Sequence, residues 1–420
     1  MKKLVILSGG VTVDIADHFS ISASAYGGTG RRLKDKFLNH QDCKFDVNLL
    51  KSRMVDHEQY AFETYEELST VVDELVQDMQ VKVIVFNCAI PNFTANKIGG
   101  RIETSTVNFL LEFYKLDKLV NKIRKTRKDI FLVSFKTTLG ADKFEMYNSG
   151  CKLLKESSSN LVLVNDRKNS YNMIVTPEES VYSYTNNRDA VLDELVQMTL
   201  DRSHLTFTRS TVVSHEGVKW SDERIPSNLR QVVDWCIDNS AYKEGYPGSG
   251  VTVGHFACKL DSTTFITSKR KTNFNKLNEV GMVLIKTDGP DTVLAYGGKP
   301  SVGGQSQRII FSEHGGMDGI VHFHCSMKSD CINDIPIVSQ KEAECGSHEC
   351  GKRTSKGLKE FIVNGDKIKA VYLDQHGPNI VFSKHAKAEN IIKFIQDNFD
   401  LKTKTNGFTY ESTIIEGAVQ

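Results

Sequence analysis

Val321-His322-Phe323-His324 is the stretch of this sequence best suited to chemistry. In a β-strand, residues i and i+2 face the same side, so the imidazoles at 322 and 324 can converge on one cation. A third ligand must arrive from elsewhere, and His376, in Tyr372-Leu373-Asp374-Gln375-His376-Gly377-Pro378 after another apolar run, is the candidate. Three imidazoles leave one coordination position open, which is what a Lewis acid requires. They suit zinc best, with iron, manganese and cobalt as further divalent candidates. A lone His-x-His pair fits a surface strand equally well; the His-Gly after a second strand favours the metal.

The other stretch with chemical potential lies near the N-terminus. Ser8-Gly9-Gly10 ends an apolar run, and Tyr26-Gly27-Gly28-Thr29-Gly30-Arg31-Arg32 follows. Glycines let backbone N–H groups approach phosphate, and the arginines could supply charge. The spacing is not the Gly-x-Gly-x-x-Gly of dinucleotide sites.

These residues need elements to position them. Apolar runs at Leu4–Leu7, Val81–Phe86, Ile130–Phe135 and Leu161–Val164 alternate with amphipathic stretches at Tyr65–Gln77 and Val107–Ile123. That rhythm predicts a doubly wound, mostly parallel α/β sheet, closed by a helix over Asp189–Leu200. Residues 206–225 are polar and read as a linker between a domain at 1–205 and another at 226–420. Beyond a helix over Leu229–Asn239, strand-like segments at Val251–Lys259, Thr263–Thr267 and Val280–Lys286 precede helices near 304–314, 354–363 and 387–399. This grouping predicts a mainly antiparallel sheet flanked by helices.

At 420 residues the chain fits two domains of about 200 each. Lys plus Arg number 53 against 52 Asp plus Glu, so no basic excess points to nucleic acid. The two lysines and four apolar residues that open the chain are too short for a signal peptide, and no run approaches a membrane span. Nine cysteines, an odd number, fit reduced thiols in a cytoplasmic setting.

The order Lys299-Pro300-Ser301, then Val-His-Phe-His, then Leu-x-x-His-Gly, resembles the class II aldolase/adducin family over roughly residues 226–400. That resemblance implies metal-dependent aldolase, epimerase or dehydratase chemistry on a phosphorylated, sugar-like carbonyl compound. It implies phosphate contacts at Gly254, Thr267, Ser268 and Ser301, and Lys269 would favour an anionic ligand. The carboxylate that serves the family as proton-transfer base is replaced here by Gly303, and its Gly-Asn-x-Ser becomes Gly254-His255-Phe256-Ala257. Glu342, Glu344 and Glu349 are candidate replacement bases. Cys325, Cys331, Cys345 and Cys350 could instead hold a separate zinc, but they lack paired Cys-x-x-Cys knuckles, and a loop of packed thiols is the simpler reading.

The N-terminal half resembles the phosphopantothenoylcysteine synthetase family. Ser8-Gly9-Gly10-Val11-Thr12, Cys88-Ala89-Ile90-Pro91-Asn92-Phe93, Val133-Ser134-Phe135-Lys136-Thr137-Thr138 and Val164-Asn165-Asp166 with Tyr171-Asn172-Met173 carry the likeness in order. It implies a nucleoside triphosphate (CTP or ATP) with Mg2+, bound by Gly9, Gly10, Gly27, Gly28, Lys136, Lys152, Asn165 and Tyr171. The family's Asn-x-Ser-Ser-Gly becomes Ser24-Ala25-Tyr26-Gly27-Gly28, and Asn92 and Thr138 replace acidic residues. Loss of that Asn amide removes a hydrogen bond of a kind worth roughly 100–1,000-fold in rate.

Three readings follow: a bifunctional enzyme with ligase-like and lyase-like halves; one metal-dependent activity with the N-terminal half a nucleotide sensor or dimerisation module; or a non-catalytic binding protein. Both resemblances imply a homo-oligomer, dimer or tetramer.

Overall fold

Leu4, Val5, Ile6 and Leu7 are all at most 2% exposed, although alternate residues of a strand point to opposite faces. Burial on both faces is what a strand between two helical layers requires. The computed structural model, which describes residues 1–103 and 110–406, places this run in β1 (Lys3–Gly10). It pairs in parallel with β2 (Asp46–Lys51) on one side and β3 (Val81–Ala89) on the other. β4 (Phe131–Thr138) and β5 (Leu161–Asp166) continue in parallel, β6 (Asn172–Val175) turns antiparallel, and β7 (Val181–Thr185) ends the order β7-β6-β5-β4-β3-β1-β2. Leu4, Ile6, Val83 and Val133 fill one core, while Val5, Leu7, Ile84 and Leu132 fill the other. Chain order reverses at β1, so Gly9 and Gly10 end it at the crevice where doubly wound sheets take ligands.

The helices of this unit are α1 (Gly28–Asn39), α2 (Tyr65–Gln77), α3 (Leu119–Thr126), α4 (Lys143–Ser157) and α5 (Arg188–Arg202). Thr64 with Glu67, and Asp142 with Glu145, form reciprocal capping boxes that start α2 and α4. The helix expected over Val107–Ile123 is shorter. Its residues 107–109 lie outside the described residues, Phe113–Lys115 forms a strand against Phe93–Ala95, and α3 begins at Leu119. Leu110 is fully exposed, Leu111 and Leu116 pack on a small cluster of Val13, Ile15 and Ala95, and only Leu119, Val120 and Ile123 are buried in a main core on one helical face.

By its contacts the chain divides into residues 1–176 with 182–203, and residues 177–181 with 204–420. In the second unit the sheet runs β8-β12-β11-β10-β9-β13-β17-β16-β14. The strands are β8 (Arg209–Val213), β9 (His255–Lys259), β10 (Thr264–Ser268), β11 (Met282–Thr287), β12 (Thr292–Tyr296), β13 (Gly319–His322), β14 (Ile337–Val338), β15 (Lys359–Val363), β16 (Asp366–Leu373) and β17 (Gly377–Phe382). Seven pairings among its described strands are antiparallel, β15 joining β16 off the path; β8–β12 and β14–β16 are parallel. The stretch read as a linker thus contributes β8. The helices are α6 (Ser227–Asp238), α7 (Gly304–Glu313), α8 (His348–Gly357) and α9 (Ala388–Asn398), beside a single turn at Leu277–Val280. A helix expected near 354–363 ends instead at Gly357, and the β-favouring Phe361-Ile362-Val363 lies in β15.

Candidate metal centre

His322 closes β13, and its register partners are His255 on β9 and Asn379 on β17. The strand expected to carry both histidines stops there, so His324 falls in the short break before another strand, Cys325–Met327. His376 ends the turn between β16 and β17; Gln375 within it has φ 54°, and Gly377, the first residue of β17, has φ 125°. A Cβ at Gly377 would stand 2.1 Å from the carbonyl oxygen of Phe323. Glycine after His376 therefore lets the turn press on the backbone between the other two histidines.

The three imidazoles are 1%, 7% and 3% exposed in chain order, and one nitrogen from each lies within 4.8 Å of the others. The Nδ1 of His322 donates to the carbonyl of Pro378 at 2.7 Å, and the Nδ1 of His376 donates to Oε1 of Gln340 at 2.6 Å. Gln340 is oriented in turn by its Nε2, which lies 2.9 Å from the sulfur of Cys350. These partners assign the proton to Nδ1 in both rings and leave both Nε2 atoms as acceptors. The two Nε2 atoms nevertheless approach to 3.3 Å. Two lone pairs at that distance repel unless a cation lies between them. Burial, and then the neighbouring histidines, hold His322 well below the ordinary imidazole range, so that cation is not readily a proton.

Beside this cluster the His255 ring stands 4.7 Å from that of His322, and its Nδ1 is 2.8 Å from Nε2 of Gln307. Burial, and then His324, lowers His255 to about 3, so the ring is neutral. A Cβ at Gly303 would lie 2.1 Å from Cδ2 of His255. The histidine thus fills the room that a side chain at 303 would need.

The residues expected to bind phosphate are placed unequally. Gly254 immediately precedes β9. Thr267 and Ser268 are fully buried at the end of β10; Thr267 Oγ1 donates to the carbonyl of Phe256, and Ser268 Oγ accepts from the Phe256 N–H. Lys269 and Ser301 are half-buried on adjoining turns, joined by the Lys269–Pro300 bridge and by the Ser301 N–H donating to the Ser268 carbonyl. Of the candidate bases, Glu342 is exposed and paired with Arg353, Glu349 is half-buried in the first turn of α8, and Glu344 is 8% exposed. The four cysteines do not gather at one point: Cys345 and Cys350 are hydrogen-bonded neighbours, whereas Cys325 lies beside the carbonyl of Ala241 and Cys331 beside that of Asn333.

In the first unit Gly9 has φ 124°, and a Cβ there would meet Ser52 Oγ at 2.1 Å. Gly27 caps α1, and Gly28 opens it with free space around its Cα. Lys136 is exposed near the end of β4, and Asn165 near the end of β5 accepts from Thr137 at 3.4 Å. Lys152 is exposed on α4, and Tyr171 stacks on Tyr184 with ring centroids 4.8 Å apart. Residue types and spacing had singled out neither Gln340 nor Gln307, because partners so distant in sequence leave no local signature.

No family model matches the chain. The CoaBC coenzyme A biosynthesis bifunctional protein of Methanocaldococcus jannaschii is 26% identical over 176 residues, 40% of this chain and 41% of that protein. The chain spans less than half the length of the curated relatives it matches. Among solved structures, the DNA/pantothenate metabolism flavoprotein from Streptococcus pneumoniae is 16% identical at a TM-score of 0.39, over 47% of this chain and 97% of that one. An L-fuculose 1-phosphate aldolase is 16% identical at a TM-score of 0.30, over 42% of this chain and 83% of that one. The chain is thus a sequence relative of the CoaBC proteins over part of its length.

Proposed function

We propose that the second unit is a metal-dependent lyase-type enzyme acting on a small phosphorylated carbonyl compound, and that the first unit binds a nucleotide. The observation that carries the reading is the close approach of two acceptor nitrogens, His322 Nε2 and His376 Nε2, in a buried site. His322, His324 and His376 would hold a divalent cation, zinc by ligand type, whose chemistry there is to polarise a substrate oxygen. Lys269 and Ser301 would take the phosphate, with the backbone at Gly254. Thr267 and Ser268 would support that turn from beneath, since their hydroxyls are engaged with the backbone of Phe256. Among the candidate bases, burial favours Glu344 over Glu342, because a buried carboxylate is more readily tuned for proton transfer.

In the first unit, the open end of β1 and the N-terminus of α1 suit a nucleoside triphosphate, CTP or ATP, with Mg2+. Whether the nucleotide activates a carboxylate or serves as a signal divides the bifunctional reading from a single lyase activity. Ser24 in place of the amide side chain favours the second. Among the described residues no helix is long and apolar enough to cross a membrane. A cytoplasmic homo-oligomer, dimer or tetramer, is the setting we propose.

The test is a panel of phosphorylated sugars and ketoses incubated with metal-stripped and zinc-reloaded full-length protein, with carbonyl products followed by coupled assay. Turnover is expected in the reloaded protein only and is lost in His376→Ala. Equal turnover after stripping would contradict the proposal.

A further inference from the structure

Two of the three histidines place an oxygen at Nδ1 from residues close in the second unit, Pro378 and Gln340. The Nδ1 of the third, His324, faces a carboxylate oxygen from far away in sequence, at the longer distance of 3.6 Å. We propose that Glu179 is the outer partner of His324 and that residues 177–181 complete the metal centre; this rests on the three-histidine metal reading above.

Pro177–Val181 follows β6 and runs into β7 in sequence, yet packs as part of the second unit. It is anchored on the turn that carries His376. Ser180 Oγ donates to the carbonyl of Gln375 at 2.9 Å, and the Val181 N–H donates to Oε1 of the same residue at 3.1 Å. The Cys345 N–H donates to Oε1 of Glu178 at 2.6 Å. Between these anchors Glu179 takes φ 68°, a left-handed conformation unfavourable for a residue with a side chain and retained where surroundings over-determine it. Its carboxylate is 3% exposed, 3.6 Å from Nδ1 of His324 and 3.7 Å from Nζ of Lys404.

A buried carboxylate needs positive charge nearby, and Lys404 supplies one. The second neighbour is an imidazole whose other nitrogen belongs to the cluster. A cation on that nitrogen makes the Nδ1 proton a stronger donor, and a carboxylate at Nδ1 makes the imidazole a stronger ligand. The same carboxylate would offset part of a dication's charge. All three rings would then carry an oxygen at Nδ1, so that the Nε2 atoms point inward together. Glu179 is a positioning residue in this account, acting on the metal through His324.

The experiment is zinc affinity of the full chain, measured by competition with a chromophoric chelator. Glu179→Gln, which keeps the shape and removes the charge, is expected to bind zinc about 10–100-fold more weakly. Glu178→Gln, one residue away on the same segment, is expected to stay within about 3-fold, with the thermal midpoints of both metal-free variants matching wild type. Unchanged affinity in Glu179→Gln overturns the proposal and leaves the metal centre standing, as does equal weakening in both variants, which would report the segment and not the carboxylate. No zinc bound by the wild type would overturn the metal reading beneath it. Should Glu179→Gln lower the metal-free midpoint, the visible bands of the cobalt-loaded proteins decide at a temperature where both are folded. A shift between wild type and variant supports the assignment, and superimposable spectra overturn it.

Discussion

At the histidine centre, two rings are oriented by oxygens at 2.6 and 2.7 Å, and all three are buried. At the strand ends of the first unit, by contrast, Lys136 and Lys152 are exposed and Gly28 has open space around it. The difference is one of preorganisation. In the proposed reading the second unit meets the cost of orienting its ligands when it folds, so a cation would find the site assembled. The first unit offers a crevice, a helix N-terminus and long cations, which in the proposed reading would be ordered by an anionic ligand.

The comparison can be broken at its supports. Gln340→Ala removes the acceptor that orients His376 without touching the cluster directly. Zinc affinity is expected to fall about 10–100-fold, as read by chelator competition; an unchanged affinity would show that the ring needs no such support. At the first unit the expected effect is smaller. Lys152→Ala should weaken nucleoside triphosphate binding by about 2–5-fold in titration calorimetry, the scale of one exposed ion pair. The thermal midpoint should barely move, since the residue is exposed on α4 and such substitutions usually change stability by less than about 0.5 kcal/mol. A drop in stability without a change in affinity would place Lys152 in the fold and not in the site.

What could be read in advance follows the same division. Both sheets were legible because their strands are apolar runs of the right length. The runs at 4–7, 81–86 and 161–164 each fall inside an observed strand, and that at 130–135 joins one from its second residue. Where a pattern lacked a core to pack on, as at Leu110, periodicity overshot, and where β-branched residues followed a glycine, as after Gly357, helix gave way to strand. His322, His324 and His376 were visible from local spacing and the glycine at 377. Gln340 was not, because it reaches His376 only through the tertiary fold. Glu179 was invisible for a further reason: it sits in a stretch of sequence that reads as part of the N-terminal sheet. Gly303 was legible as a departure from the resembled motif, but only the structure connects it with His255, whose ring occupies the room that a side chain at 303 would need.

The central claim is that three buried histidines hold a divalent cation. Elemental analysis of the purified full-length protein, beside His322→Ala, tests it most directly. The account predicts about one transition metal per chain in the wild type and essentially none in the variant. Absence of metal from the wild type, with none taken up on reconstitution, would contradict it.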